Sequence, residues 1–571
     1  MILFRPVIHM TKYIFVTGGV LSGLGKGVVT ASIAKLLQMR GYSVDIIKID
    51  PYLNVDPGTL NPIEHGEVFV CEHSWRFEPA EGYSFTIAEV DQDFGTYERF
   101  LNKNIEPYNN ITSGQVYLAV ILRERVGKYL GKTIQVIPHI TDEIKNRIRI
   151  VAEKSKPDIL LIEIGGTVGD IEAMPFLEAV RQFRLEEGVG NTLLVHITLV
   201  PYLETIGQLK SKPTQHSVRV LQSAGLQPDI IVCRAPLELT EDIKRKISLF
   251  CNVQYEAVIS DPDVETVYEV PILFEKQGLG RYICKLLKLP NSKLDQNEYS
   301  KWVAIVNMFK QPSEYVEIAM PGKYTFITDS YISINEALRH AAAWNNVKIK
   351  IKWIETEIFE EDPGKLEENL KSVDGILLTP GFGSRGVEGM INVAEYALEN
   401  PIPFLGICFG AQLLFVAFYR NVMGYRTANT TEVNPNTPYP VVDLLPEQKS
   451  VKMKGGTMRL AAQEVYVKKG TRLYNAYRKE IIMERFRHRY HIIKQYAEKA
   501  KDYGLVVSAT DRSGDIVNAI EVTGDNWILG VQFHPEFKSR PEAPSPVYLD
   551  FIRAAVKYKR AKRGRVLEIR S

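Results

Sequence analysis

One cysteine, one histidine and one glutamate in the second half of the sequence have the types and surroundings of a nucleophile, a base and a group that orients the base. Cys408 lies in PFLGICFGAQ between Gly406 and Gly410, after an apolar run and before a helical pattern. This order is typical of a nucleophile elbow, in which small neighbours permit a sharp turn and backbone N–H groups stabilise an oxyanion. The pattern predicts attack by a thiolate on a carbonyl carbon.

The base and its orienting group are predicted from VQFHPEF, which contains His534 and Glu536. If this stretch is a β-strand, the spacing of two places both side chains on one face. We interpret His534 as the base that takes the Cys408 proton, and Glu536 as the carboxylate that fixes the imidazole tautomer. A lone cysteine is more often a packing residue, and His-x-Glu alone is weak evidence, so the prediction depends on their joint occurrence.

A glycine-rich loop, GGVLSGLGKG, lies near the start of the chain between the apolar run YIFVTGG and a helix-like stretch. Glycine permits tight turns there and lets backbone N–H groups approach phosphate oxygens, while Lys26 would neutralise phosphate charge. The loop departs from the usual phosphate-loop pattern because Gly27 replaces the Ser or Thr that binds the metal, and one more residue separates Gly19 from Gly25. The alternative is a glycine-rich turn with an incidental lysine.

Three carboxylates are candidates for the missing metal ligand. Because the loop lacks a hydroxyl, Mg²⁺ would need acids from the ends of other strands. Asp50 and Glu163 end or nearly end apolar runs, and Asp93 is the third candidate. The alternative for each is a structural acid that is hydrogen-bonded in the fold.

The elements that position these residues follow an α/β rhythm. Apolar runs recur at VDIIKID, DILLIEIGG, TLLVHITLV and DIIVCR with periodic helical segments between them, which predicts a mostly parallel sheet with crossover helices. A polar, irregular stretch then precedes a second α/β domain. We predict the following division: extension 1–9, with Met10 as an alternative start, domain 10–285, linker 286–314, domain 315–556 and a solvated basic tail 557–571.

Composition excludes several classes of protein. Lys and Arg total 70 against 68 Asp and Glu, so the net charge of +2 gives no global reason to bind nucleic acid or a membrane. The 5 cysteines are scattered and form no Cys-x-x-Cys pair, which disfavours a disulfide framework and indicates a reducing compartment. No stretch approaches the roughly 18 apolar residues that a membrane helix needs. We expect a cytoplasmic enzyme.

A series of motifs extends along nearly the whole chain: YIFVTGGVLSGLGKG, KIDPYLNVDPGTLNP, HGEVFV, QVIPHITDEI, EIGGTVGDIE, LVPYLETIGQLKSKPTQHSV, LFCNV, GFGSRGVEGM, GICFGAQ, GGTMRL, RHRY and QFHPEF. In content and order these motifs closely resemble the CTP synthase family. The resemblance implies a fold in which a P-loop-type parallel-sheet synthetase domain precedes a class I glutamine amidotransferase α/β domain.

In the first domain the resemblance implies two nucleotide sites. Asp93 and Glu163 would hold Mg²⁺, and Lys26 and Lys48 would face phosphates. ATP would be bound by Gly23, Leu24, Gly25, Lys26, Gly27, Val28 and Asp93, with Pro262, Asp263 and Val264 at the adenine. UTP, or CTP as feedback inhibitor, would be bound by Ser22, Asp170, Ile171, Glu172, Lys210, Ser211, Lys212, Pro213, Thr214, Gln215 and Lys246. Taken without the resemblance, the lysine-rich 210–215 stretch is more often an exposed loop.

In the second domain the resemblance implies that glutamine is hydrolysed by Cys408, His534 and Glu536. Arg489 and Glu432 complement the two charged ends of the amino acid. The glutamine-binding residues would be Gly381, Phe382, Phe409, Gly410, Ala411, Gln412, Glu432 and Arg489. The resemblance further implies GTP as an activator, passage of ammonia with participation of His65, a homotetramer and, as a further expectation, filaments.

Three departures from the family pattern stand out. A proline, Pro380, replaces a glycine in TPGFG beside the predicted oxyanion hole and removes one N–H donor. His491 follows RHRY where the family has an acid. The segment Cys71–Val90 is longer than the family spacing before the magnesium-binding acid.

The implied reaction is ATP-dependent amination of UTP at C4 to CTP with ammonia from glutamine, a ligase reaction of pyrimidine biosynthesis. Two rivals remain open. One is another ATP-dependent glutamine amidotransferase ligase with a different acceptor, against which LKSKPTQHSV and GDIE argue. The other is a filament-forming regulatory homologue, against which the intact set of Cys408, His534 and Glu536 argues.

Overall fold

The computed structural model describes residues 11–290, 293–323, 328–450 and 455–570, except for the side chains of 62, 63, 328, 329, 450 and 563–570. The chain divides into two compact units. Unit 1 comprises Met1–Pro57 and Trp75–Lys310, and unit 2 comprises Gly58–Ser74 and Gln311–Ser571. The predicted division differs from this one, because a short early segment belongs to unit 2. The predicted extension 1–9 lies outside the described residues.

Unit 1 contains a seven-stranded sheet in the order β11-β10-β7-β1-β6-β2-β5, and every neighbouring pair is parallel. The predicted parallel sheet is confirmed. The strands of this half are β1 (Lys12–Gly18), β2 (Val44–Asp50), β3 (Val68–Ala80), β4 (Tyr83–Asp91), β5 (Asn110–Thr112), β6 (Ile159–Ile164), β7 (Thr192–Leu199), β8 (Tyr202–Leu203), β9 (Gln208–Leu209), β10 (Ile230–Ala235) and β11 (Val258–Pro262).

Helices cover the sheet of unit 1, which explains why its central strands read as continuous apolar runs. They are α1 (Lys26–Gln38), α3 (Asp93–Leu101), α4 (Ser113–Arg125), α5 (Thr141–Ser155), α6 (Met174–Glu187), α7 (Lys212–Ser223), α8 (Glu241–Cys251), α9 (Val270–Lys276), α10 (Leu279–Leu286) and α11 (Gln296–Lys310), while the short α2 (Pro62–His65) belongs to unit 2. Helix α11 lies within the predicted linker, and its Trp302 is buried with its Nε1 donating to Tyr268 O at 2.9 Å.

The long segment Cys71–Val90 forms most of a two-stranded sheet of β3 and β4. Gly82 provides the turn with a φ of 84°, a backbone conformation that favours glycine. Phe77 and Ile87 are buried in a small cluster with Ala119, and Trp75 and Phe85 pack against it. The segment is therefore a β-hairpin with its own apolar face.

Unit 2 contains a nine-stranded mixed sheet in the order β13-β12-β14-β15-β23-β22-β21-β18-β19. The first five strands are parallel and the remaining pairs are antiparallel. The strands of this half are β12 (Tyr315–Gly322), β13 (Lys348–Glu355), β14 (Gly375–Leu378), β15 (Phe404–Ile407), β16 (Ala428–Thr430), β17 (Tyr439–Leu444), β18 (Arg459–Val467), β19 (Ile481–His488), β20 (Tyr490–Ile492), β21 (Leu505–Thr510), β22 (Val517–Val522) and β23 (Ile528–Val531).

Two apolar clusters form the core of unit 2, one around Phe404 and Leu414 and the other around Leu405 and Phe551. The helices are α12 (Ile332–Trp344), α13 (Glu357–Glu361), α14 (Lys365–Leu370), α15 (Val387–Glu399), α16 (Phe409–Asn421), α17 (Arg472–Tyr477), α18 (Lys494–Ala500) and α19 (Pro546–Arg570).

The basic segment 557–571, predicted as a solvated tail, begins within α19, which continues to Arg570. Lys559 pairs with Asp374 at 3.2 Å, and Arg560 pairs with Glu314 at 3.3 Å. These ion pairs attach the start of the segment to unit 2. The side chains after 562 lie outside the description.

Candidate active sites

Cys408 lies at a sharp turn between strand β15 and helix α16 of unit 2. Its φ of 51° and ψ of −103° are strained for a residue with a side chain. A Cβ atom at Gly406 would stand 2.7 Å from Gly410 O, and one at Gly410 would stand 2.3 Å from Leu378 O. Both glycines are therefore required by close backbone contacts. The backbone has the strand, turn and helix order that the sequence predicts.

His534 and Glu536 form a buried pair in unit 2, with Nδ1 of the imidazole 2.7 Å from Oε1 of the carboxylate. The predicted geometry of this pair is wrong, because β23 ends at Val531 and Pro535–Lys538 forms a 3₁₀ turn. The turn, and not the alternation of a strand, brings the two side chains together. Phe537 stacks on the imidazole with ring centroids 5.3 Å apart.

The charge state of His534 follows from its neighbours. Burial alone would lower its pKa, but the negative charge of Glu536, together with that of Cys408, outweighs this effect and raises the pKa to about 10. Within the described chain, the buried Nε2 atom has no hydrogen-bond partner of normal geometry. The pair therefore favours an imidazolium beside the cysteine at neutral pH.

A cavity of about 570 Å³ opens onto Cys408 and the imidazole of His534. Of the predicted glutamine-binding residues, Gly381, Phe382, Phe409, Gln412, Glu432 and Arg489 line it, whereas Gly410 and Ala411 do not. Glu432 accepts a hydrogen bond from Gly383 N at 2.8 Å, and Arg489 donates to Gln448 Oε1 at 2.5 Å. The lining of the cavity thus includes a carboxylate and a guanidinium.

Lys323 holds the loop after Pro380, a contact that the sequence analysis missed. Its Nζ donates to Phe382 O at 2.9 Å and to Gly383 O at 2.6 Å, and it lies over the Phe409 ring. Burial lowers the pKa of Lys323 to about 8, although Glu432 opposes the shift. Because two carbonyls are fixed in this way, the peptide N–H groups of the loop are held too.

The phosphate loop of unit 1 runs from the end of β1 to the start of α1. Gly23 and Gly25 have φ values of 76° and 84°, which glycine adopts without strain. Lys26 Nζ donates to Gly166 O at 3.0 Å, and burial lowers the pKa of Lys26. The loop has the strand-to-helix placement that a phosphate site needs.

The structure gives a physical reason for Gly27, which stands where phosphate loops usually have a hydroxyl. A Cβ atom at this position would lie 2.3 Å from Asp93 Oδ1. The carboxylate of Asp93 therefore occupies the space that a Ser or Thr side chain would need. One acid from α3 replaces the missing hydroxyl.

Asp93 and Glu163 converge on Lys48, whose Nζ bonds the Asp93 carboxylate and lies 3.1 Å from Glu163 Oε1. Burial, and the repulsion of Glu163 and Asp91, raise the pKa of Asp93 to about 7, although Lys48 opposes this shift. Lys48 is itself buried, and its expected contact with phosphates is here a contact with carboxylates.

Two further residues complete this cluster, and neither was singled out from the sequence. Asp91 lies 3.6 Å from Lys48 Nζ, and Tyr97 donates to Glu163 Oε2 at 2.6 Å. Asp50 lies 3.9 Å from Lys48 Nζ and also accepts a hydrogen bond from Asn110 at 2.8 Å, which is a structural contact. Within the described ranges, no group of three or more His, Cys, Asp or Glu side chains forms a metal cage.

The residues assigned to the pyrimidine nucleotide differ in their exposure. Ser22, Asp170, Ile171, Glu172, Lys212 and Lys246 are exposed. Ser211, Thr214 and Gln215 are buried, and Thr214 Oγ1 bonds Thr198 Oγ1 at 3.0 Å. At the predicted adenine site, Asp263 is exposed and ion-paired with Arg234 at 2.5 Å. The buried side chains hold the start of α7 in place.

Comparison with known proteins gives two family matches. Residues 12–289 match the model described as CTP synthase N-terminus, and residues 326–554 match glutamine amidotransferase class-I. CTP synthase of Pyrococcus furiosus is 53% identical over 556 residues, which cover 97% of this chain and 99% of that protein. The chain belongs to the CTP synthase family.

Other members of the family give the same coverage. CTP synthase of Saccharolobus solfataricus is 52% identical over 95% of this chain and 99% of its own length. CTP synthase of Thermus thermophilus is 51% identical over 96% of this chain and 97% of its own length. The similarity to CTP synthases therefore extends through both units. None of the helices in the described ranges is both long and apolar enough to span a membrane.

Proposed function

We propose that the chain catalyses the glutamine-dependent amination of UTP to CTP, a ligase reaction that uses ATP and forms a C–N bond. The observation that carries this proposal is the presence of two built sites in one chain. Unit 1 has a phosphate loop beside the Lys48, Asp93 and Glu163 cluster, and unit 2 has Cys408 and His534 at a cavity. Membership of the CTP synthase family along 97% of the chain supports it.

In unit 2, Cys408 attacks the carboxamide carbon of glutamine and forms a glutamyl thioester as ammonia leaves. His534 exchanges the proton with the thiol and the leaving amine, and Glu536 holds its tautomer. Glu432 and Arg489 complement the α-ammonium and α-carboxylate of the substrate. We assign the Gly381 and Phe382 N–H groups as oxyanion donors, since Gly383 N is already bonded to Glu432.

In unit 1, ATP phosphorylates O4 of UTP, which converts that oxygen into part of a phosphate leaving group. Ammonia then attacks C4, and phosphate departs. Lys26 and Lys48 neutralise charge on the transferred phosphoryl group. The residues assigned above to ATP and UTP would bind the two nucleotides for this reaction.

Asp93 and Glu163 fit a magnesium ion, because they bring crowded carboxylates next to the phosphate loop where the usual hydroxyl is missing. Such an ion supplies charge neutralisation between phosphates when it is bound. One or two carboxylates with substrate phosphates are the ligand set that Mg²⁺ commonly takes. GTP activation, CTP feedback inhibition, a homotetramer, filaments and a cytoplasmic location remain proposals from the family resemblance.

The proposal is tested by incubating the purified chain with UTP, ATP, Mg²⁺ and glutamine and measuring CTP by chromatography. We expect CTP only when all four are present, or when ammonia replaces glutamine. Glutamine hydrolysis coupled to ATP use without CTP formation would favour a ligase with another acceptor. Absence of both glutamine hydrolysis and CTP formation would favour a regulatory homologue.

A further inference from the structure

Gln532, which follows strand β23 in unit 2, contacts the sulfur of the candidate nucleophile. Its side chain is completely buried, and its Nε2 lies 3.5 Å from Cys408 Sγ. We propose that Gln532 donates an N–H hydrogen bond to Sγ that stabilises the Cys408 thiolate and sets the pH at which it becomes reactive. The proposal rests on the assignment of Cys408 as the nucleophile.

The orientation of the Gln532 amide is fixed by its neighbours. Gln412 Nε2 donates to Tyr490 O at 2.8 Å and to Gln532 Oε1 at 3.0 Å. Tyr490 O can only accept, so the nitrogen of Gln412 must be the atom on that side. Gln532 Oε1 is then the acceptor of the second bond. The Gln532 NH₂ group is consequently the part of the amide that faces sulfur.

The backbone holds the two partners in register. Cys408 N donates to Val531 O at 2.7 Å, and Gln532 N donates to Asn518 O at 2.9 Å. Cys408 and Gln532 therefore lie at the ends of the paired strands β15 and β23, with little freedom to separate. The short distance between Cys408 Sγ and the Gln532 amide is therefore set by the pairing of the strands.

Sγ also contacts Arg487 O, at 3.7 Å, and faces the imidazole of His534. A carbonyl can accept from the thiol but offers nothing to a thiolate, whereas an amide N–H gives a stronger bond to the charged form. Ionisation of Cys408 thus replaces the hydrogen bond to Arg487 O by the one from the Gln532 N–H group. The same N–H stabilises sulfur again when thioester hydrolysis expels it as a thiolate.

A hydrogen-bond donor can be distinguished from a side chain that only fills space. A glutamine that only filled space would be replaceable by methionine, which has similar length and no N–H donor. Loss of the donor, in contrast, would shift the pH dependence of sulfur reactivity. A charge-assisted hydrogen bond of ordinary strength corresponds to a shift of roughly one to two pH units.

The test is the rate of Cys408 alkylation by iodoacetamide from about pH 5 to about pH 10, measured on the full chain by peptide mass spectrometry. The other cysteines, Cys71, Cys233, Cys251 and Cys284, are buried, and the peptides distinguish them from Cys408. For Gln532→Met we expect the midpoint of the alkylation profile to rise by about one pH unit or more, which makes alkylation roughly tenfold slower below the midpoint.

The matched control is Gln463→Met, which removes a half-buried amide of strand β18 that bonds Arg459 at 2.6 Å. We expect its alkylation midpoint to match wild type. We also expect kcat of glutamine hydrolysis by Gln532→Met to fall, with KM for glutamine changing less than about twofold. Synthesis from added ammonia reports that unit 1 is intact.

An unchanged midpoint in Gln532→Met, or an equal shift in Gln463→Met, would overturn the inference. A large rise in KM with an unchanged midpoint would instead make Gln532 a substrate-binding residue. If Gln532→Met does not fold, Gln532→Leu decides, because it also lacks the donor and adds no charge that would shift the midpoint by itself. Failure of iodoacetamide to modify Cys408 in the wild type would contradict the proposed function itself.

Discussion

Single residues in unit 2 determine whether the cysteine has a usable base. The His534 imidazole is held by Glu536 at 2.7 Å, and Tyr548 OH lies 3.5 Å from the other oxygen of that carboxylate. This arrangement fixes the tautomer and stabilises the imidazolium. We therefore expect the Glu536 carboxylate to contribute both to catalysis and to the stability of the folded state.

We predict that Glu536→Gln reduces kcat of glutamine hydrolysis by about 10²- to 10⁴-fold, because the imidazole loses its orienting charge. Stability gives a second readout. The pKa of His534 is raised from 6.5 to about 10, so the imidazolium stabilises the folded state fully below pH 6.5, and this contribution is lost as pH rises through 10. The difference in melting temperature between wild type and variant should shrink as pH rises.

A constant difference in melting temperature from about pH 6 to about pH 10 would contradict the pairing. The control is Glu464→Gln, which alters an exposed acid of strand β18 in the same unit. We expect it to change neither hydrolysis nor the pH dependence of stability.

Pro380 removes one N–H donor from the loop beside Cys408, yet Gly381 and Phe382, which we assign as the oxyanion donors, both line the cavity. We predict that Pro380→Gly changes glutamine turnover less than about tenfold, because an oxyanion donor is worth about 10²- to 10³-fold in rate and none is missing. Steady-state glutaminase kinetics check this. A gain of about a hundredfold would mean that the native loop lacks a donor.

Lys323 fixes the same loop through the carbonyls of Phe382 and Gly383. We predict that Lys323→Met slows glutamine hydrolysis by about 10- to 100-fold, because the oxyanion donors lose their fixed orientation. Synthesis from ammonia should be unchanged. Lys468→Met, which alters an exposed lysine of unit 2, is the control, and equal kinetics in both variants would remove Lys323 from the site.

At the scale of elements, the phosphate loop packs closely against the start of helix α3. Gly27 begins the helix side of the loop, and Asp93 begins α3. We predict that Gly27→Ala lowers synthesis from glutamine and from ammonia by more than about a hundredfold, because the new methyl group would displace the Asp93 carboxylate. Hydrolysis of glutamine, measured alone, serves as the internal control. Normal synthesis from ammonia would show that the contact has no function.

Elements with strong local signals were predictable from the sequence. Buried parallel strands appear as apolar runs, so β1, β2, β6, β7 and β10 could be located, and the glycines beside Cys408 indicated the elbow. Contacts that depend on tertiary packing could not be found in this way. Lys323 lies far along the chain from the Phe382 carbonyl that it contacts, and Gln532 lies far along the chain from Cys408.

The hairpin and the early segment Gly58–Ser74 show the same limit. Alternation within Cys71–Val90 is consistent with strands, but which unit each end belongs to is decided by long-range packing. QFHPEF already contains Gln532, so the motif carried that residue without indicating its partner. The sequence therefore predicted the chemistry better than the contacts that support it.

At the scale of the whole molecule, each unit carries one half of the proposed reaction. Unit 2 releases ammonia at Cys408, and unit 1 uses ammonia at the nucleotide. The central claim is that the nitrogen of the CTP amino group comes from the side-chain amide of glutamine through this cysteine. Neither half alone accounts for that transfer.

The most direct measurement follows ¹⁵N from the side-chain amide of glutamine into CTP by mass spectrometry, in wild type and in Cys408→Ala. We predict full labelling of CTP by the wild type, no labelling by Cys408→Ala, and near-normal CTP formation by Cys408→Ala when ¹⁵N-ammonia is supplied instead. Labelled CTP from glutamine in the variant, or equal loss of both activities, would contradict the account.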